Sequence, residues 1–221
     1  MALRIVCAHG YGAFLFSFSM AYTESFLHKL EKNERRDTMD RCSTSQAKKW
    51  ILTGIPILFL TGPLLHFAYE LSGKNILIAL IAPVNESVWE HSKMVLWPVI
   101  LWWGAYCCKC NLFGAIRGRW LTGTGIALLT ALSVMPMLYY FYTEAFGVEL
   151  LWADILILFL SVLTGQLAGL HFYDHSSGDC GKAAVLFIMI TVLLFVFFTF
   201  RPSHLPWFQD GSTGVFGIGL Q

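Results

Sequence analysis

The stretch WILTGIPILFLTGPLLHFAYEL, residues 50–71, decides the fold. It holds one charged residue, Glu70, at its far end, and it is long enough to span about 30 Å of hydrocarbon as a helix rising about 1.5 Å per residue. The same test is met by Ser87 to Cys108, Trp120 to Tyr142 and Leu150 to His171, with Ala183 to Phe200 a slightly shorter fifth. Ile5 to Thr23 is a weaker sixth, interrupted by His9 and several serines and glycines. Ser19-Met20-Ala21 would suit signal-peptidase cleavage, so a removed leader competes with a retained helix there. The expected architecture is all-α: a polytopic membrane bundle of about six transmembrane helices, five strong and one weaker.

Composition agrees. Of the 221 residues, 56% are hydrophobic and 13% charged, against roughly 25% charged in soluble domains. With 18 Phe, 8 Trp and 8 Tyr spread over long runs, one globular core cannot hide the apolar surface, and the lipid bilayer becomes the partner. A net charge of +1 gives no field for a polyanion, which excludes nucleic-acid binding.

Lys and Arg in the connections set the expected orientation in a cell membrane. Residues 24–49 carry seven basic residues, from Lys29 to Lys49, and 109–119 carry Lys109, Arg117 and Arg119 with no acid, so both loops are expected in the cytoplasm. The tail from Arg201 to Gln221 then lies outside. Residues 1–49 read as the weak helix with its basic loop, and 50–221 as the polytopic domain with a short extracytoplasmic tail. Cys42, Cys107, Cys108, Cys110 and Cys180 fall on the reducing side, where no disulfide framework is expected.

Between the first two strong spans, Ile76 to Val84 is apolar, too short to cross, and contains Pro83. It reads either as a re-entrant or interfacial segment beside a polar cavity, or as a Pro-kinked helix. Next comes Asn85-Glu86-Ser87-Val88-Trp89-Glu90-His91-Ser92-Lys93, which starts a span with four ionisable groups. A charge at a helix centre costs roughly 2.5 to 3.5 kcal/mol on insertion scales, so such a cluster is expected to face protein or water. Helical spacing puts Glu86, Glu90 and Lys93 on one stripe and Ser87 and His91 on another.

His66 and Glu70, four apart, share a face near the same side of the membrane. Asp154 comes down from that side one turn into a later span, and Arg201 and His204 follow the last span out. Histidines with carboxylates form a nitrogen and oxygen donor set for a divalent transition metal such as Zn. The expected ligands are His66, Glu70 and His91, with Glu86 or Glu90 as general base and Asn85, Ser87, Lys93, Asp154, Arg201 and His204 in support. The plain alternative is a headgroup-level belt of snorkelling charges and interfacial tryptophans. Three functions stay open: a metal-dependent membrane hydrolase acting on a lipid-like or amphiphilic substrate, a small transporter or proton-coupled carrier, and a non-catalytic assembly factor.

The strings Leu65-His66-Phe67-Ala68-Tyr69-Glu70 and Pro83-Val84-Asn85-Glu86-Ser87-Val88-Trp89-Glu90-His91 resemble an uncharacterised family of bacterial multi-pass membrane proteins. The resemblance runs from about Trp50 to Gln221; it implies a polytopic fold and no chemistry. A partial similarity links Ser87 and His91, with His171 and His175, to the CREST membrane hydrolases, whose zinc motifs share these spacings. Here His171 and His175 are expected at the opposite face from His91, and no Asp follows on the next helix.

Overall fold

The structure is a computed structural model that describes residues 27–29, 44–110, 112 and 114–218. Two units divide the chain, Met1–Gln46 and Ala47–Gln221, and the second holds every residue of the candidate site. The described residues are helical apart from turns and one isolated antiparallel bridge, Gln209 to Phe216. In order the helices are α1 (Thr44–Leu71), α2 (Ile76–Ala79), α3 (Val88–His91), α4 (Lys93–Lys109), α5 (Gly114–Phe146), α6 (Leu151–His175) and α7 (Gly181–Phe200), with a 3₁₀ turn at Pro206–Phe208.

Four of these, α1, α5, α6 and α7, are long and apolar enough to cross a bilayer. The expected span from Ser87 to Cys108 is divided at Ser92 into α3 and α4, each too short to count alone. The expected helix from Ile5 to Thr23 lies outside the described residues. Large apolar side chains stand out from the bundle, with Leu64, Leu71 and Leu151 72%, 84% and 77% exposed, a surface that water would penalise and lipid would not.

α5 is the most enclosed of the four, packed along α6 through small residues. A Cβ on Gly165 would come within 2.7 Å of the Ala127 carbonyl oxygen, and one on Gly169 within 2.9 Å of the Gly123 carbonyl oxygen, so only glycine permits this approach. Large side chains fill the rest of the interior, with Trp103, Trp120 and Tyr173 buried between α4, α5 and α6. Trp50 and Trp102 stack at 4.3 Å, and each indole N–H donates to the other's backbone carbonyl at 3.1 Å, joining α1 to α4.

The Ile76 to Val84 segment is a single helical turn followed by bends, not a kinked continuation of α1. The reversal before it uses Gly73 and Lys74, at φ +70° and +61°. Its freed backbone groups are met by side chains of α3 and α4: Lys93 Nζ donates to Ala79 O at 2.7 Å and Ala82 O at 3.5 Å, and Trp97 Nε1 to Leu80 O at 2.9 Å. The Val84 N–H donates to Glu90 Oε2 at 3.1 Å. Every one of these bonds offsets the cost of non-helical backbone away from water.

Candidate functional site

One end of the bundle carries the polar groups. There α1 ends, α3 begins, α5 runs into α6, and α7 gives way to the tail. Asn85 and Ser87 frame the loop between Pro83 and α3. The Asn85 side-chain oxygen accepts the Ser87 N–H at 3.1 Å, and Ser87 caps α3 by accepting the Glu90 N–H at 3.2 Å. In an ordinary capping box Glu90 would reach back to the Ser87 N–H. That donor is already taken by Asn85, and the Glu90 carboxylate extends further, to Val84.

Glu86, in this loop, brings two helices together. Its Oε1 lies 3.6 Å from His66 Nε2 and its Oε2 3.3 Å from His91 Nε2. The two imidazoles stack, with centroids 5.1 Å apart and planes 17° from parallel. Ligand atoms of His66, Glu86 and His91 all fall within 4.8 Å of one another. Donor atoms around a tetrahedral zinc, at about 2.0 to 2.1 Å from the ion, stand roughly 3.3 Å apart, the separation of His91 Nε2 from Glu86 Oε2, whereas the His66 side would have to close in to share the ion.

The hydrogen-bonding logic sharpens this. His91 Nδ1 lies 3.1 Å from the Ser87 carbonyl, which can only accept, so Nδ1 carries the proton. A neutral His91 then turns the Nε2 lone pair toward a carboxylate oxygen, and two acceptors face each other. A shared cation, either a proton or a metal ion, resolves that conflict. On His66, Nδ1 is buried with no partner among the described residues, which leaves Nε2 as the side of the ring with chemistry to offer. When the shared cation is a proton, the His91 imidazolium donates to Glu86 and holds its carboxyl below the usual range, outweighing the upward push of partial burial.

The remaining expected residues sort by position. Glu70 is exposed, a turn beyond His66 on α1, and the third member of the cluster is Glu86 instead. Glu90 and Lys93 are 3% and 0% exposed and paired at 2.6 Å, with Glu90 also 3.4 Å from the Thr199 hydroxyl of α7. Their polar atoms serve the broken segment, not the imidazoles. Asp154 accepts the Tyr142 hydroxyl at 2.6 Å. Arg201 and His204 are exposed, and the His204 ring lies against Phe216.

Asp210 is the contributor that helical spacing could not reveal, because it lies in an irregular tail. It is buried, and its Oδ2 accepts the Glu86 N–H at 3.1 Å. Phe208, also buried, packs on Trp89 and Phe198 with centroids 4.8 Å away from each. A cleft of about 590 Å³, lined by Glu86, Tyr139, Glu144, Glu149 and Asp210 among others, opens beside the cluster.

These features define an all-helical protein with four apolar helices of membrane-spanning length and a histidine-carboxylate cluster at one end. The chain belongs to DUF6512, a family of unknown function, whose model matches residues 39–218. The match covers every residue of the cluster and its tail. No curated protein and no solved structure matches the chain.

Proposed function

We propose that the protein is a metal-dependent membrane hydrolase, with a divalent transition ion such as Zn²⁺ held by His66, Glu86 and His91. The observation that carries this reading is the opposition of His91 Nε2 and Glu86 Oε2 at 3.3 Å, with His91 Nδ1–H committed to Ser87. Two histidines and one carboxylate are a donor set that leaves a fourth position for water, whose pKa then falls to about 7. With His66, Glu86 and His91 holding it, such an ion would supply an activated water for hydrolysis of an ester or amide, in which water's OH would go to the acyl carbon and its H to the leaving group. The apolar outer faces of the helices beside a carboxylate-lined cleft favour an amphiphilic, lipid-like substrate whose polar end would enter the cleft.

In this reading α3 and α4 cross together as a fifth span, supported by the α-region conformation of Ser92 between them, and Ile5 to Thr23 is a sixth. The basic loops 24–49 and 109–119 face the cytoplasm and the cluster lies near the outer leaflet, supported by the distribution of Lys and Arg. A proton in place of the metal gives the competing reading, a proton-coupled carrier. It is less favoured because the broken segment is tied into the protein, its carbonyls at Ala79, Leu80 and Ala82 already accepting from Lys93 and Trp97.

The test is hydrolysis of short-chain ester and amide amphiphiles by the full chain in proteoliposomes. Activity abolished by a chelator, restored by Zn²⁺ and lost in Glu86→Gln supports the hydrolase. Chelator-insensitive activity, or Glu86-dependent proton flux without metal, overturns it.

A further inference from the structure

We propose that Asp210 is a positioning residue for the metal site, and that docking of the C-terminal tail on the Asn85 to Ser87 loop aims the Glu86 carboxylate at the two imidazoles. This rests on the reading of His66, Glu86 and His91 as ligands.

Glu86 differs from its two partners in how it is held. His66 lies within α1 and His91 within α3, where the helix backbone sets the direction of the side chain. Glu86 sits before the N-cap, between Pro83 and Ser87, where no helical ladder holds its backbone. What holds it comes from more than a hundred residues away. The Glu86 N–H donates to Asp210 Oδ2 at 3.1 Å, and the adjacent Asn85 Nδ2 donates to Gly217 O at 3.1 Å. Two successive loop residues are thus tied to two points of the same tail.

The tail is itself organised around Asp210. Its Oδ1 accepts the Ser212 N–H at 2.8 Å, the Ser212 hydroxyl at 2.7 Å and the Thr213 N–H at 2.7 Å, while the Asp210 N–H donates to Val215 O at 2.9 Å. The two carboxylate oxygens divide their tasks. One closes the turn that folds the tail, and the other reaches the ligand loop. Phe208, two residues earlier, buries the connection against Trp89 of α3. A turn needs only the first oxygen; the second is what ties tail geometry to Glu86. Partners that orient metal ligands typically change metal affinity by roughly 10- to 100-fold when removed.

Asp210→Asn separates the two tasks, because the amide oxygen retains the turn bonds and the NH₂ group faces the Glu86 N–H, donor against donor. Asn85→Asp is an independent cut: it keeps the acceptor for Ser87 and removes the donor to Gly217. Zn²⁺ affinity of the detergent-purified full chain, by competition with a chromophoric chelator, is the readout, with the thermal midpoint followed in parallel. Both variants are expected to bind Zn²⁺ roughly tenfold or more weakly. In a Glu86→Gln background, Asp210→Asn is expected to change the remaining affinity no further, which a merely structural role would not produce. Wild-type affinity in both variants, or an equal loss with and without Glu86, overturns the positioning role while leaving the ligand assignment intact. A wild-type protein that binds no Zn²⁺ removes the ligand reading itself, and this inference with it.

Discussion

Glu90 and Lys93 meet at 2.6 Å with both side chains removed from solvent, and between them they bind backbone atoms of Ala79, Ala82 and Val84. The pair works as a clamp on the broken segment that leads into the Glu86 loop. Removing one partner strands the other charge: Lys93→Met or Glu90→Leu is expected to cost about 3 to 5 kcal/mol. The double variant should lose clearly less than the sum of the two. Denaturant unfolding in mild detergent measures all three, and additive losses would show that the two groups do not act as a pair.

Acid should loosen the tail. Burial alone would raise the Asp210 carboxyl, but hydrogen bonds from the Ser212 hydroxyl and from the N–H groups of Thr213, Glu86 and Ser212 outweigh it and push it down to about 2 from 3.8. Because the folded value lies below the unfolded one, the stabilisation is complete above about pH 4 and is lost as pH falls toward about 2. The lowered Glu86 carboxyl adds a loss of the same sign. Protease sensitivity of the 202–217 region should rise across this window in wild type and be insensitive to it in Asp210→Asn.

The close packing of α6 on α5 predicts a penalty for alanine at Gly165 that an open position on α4, Gly104, does not share. At Gly165 a Cβ meets Ala127 backbone at 2.7 Å, so Gly165→Ala should destabilise by about 1 to 3 kcal/mol. At Gly104 nothing lies within 4 Å, and Gly104→Ala should be neutral or mildly stabilising. Thermal midpoints in detergent distinguish the two; equal effects would contradict the close packing.

Much of this architecture is legible from hydrophobic runs. The stretches from Trp50, Trp120 and Ala183 lie within α1, α5 and α7, and the one from Leu150 lies within α6 but for Leu150 itself, its N-cap; the helices extend a few residues further because helix continues beyond the apolar core. The break at Ser92 falls inside the polar stretch from Asn85 to Lys93, where a hydropathy window sees where the apolar run begins, at Met94, and not where one helix hands over to the next. Helical spacing paired His66 with Glu70, but the turn at Gly73 and the bends before Pro83 fold the chain back and deliver Glu86 from a loop to which no helical period applies. Asp210 stands out in the sequence as part of the tail, with His204 to Trp207 a candidate lid over the outer cavity, but its bond to the Glu86 loop, made by irregular backbone across more than a hundred residues, leaves no periodic trace.

Bound metal in the purified full-length protein is the most direct measurement. The account predicts close to one transition-metal ion per chain after loading with Zn²⁺ and removal of excess, lost in His66→Ala and His91→Ala, sharply reduced in Glu86→Gln and retained in Glu70→Gln. A wild-type chain that retains no ion, or a Glu70→Gln variant that loses it while Glu86→Gln keeps it, would contradict the site at its foundation.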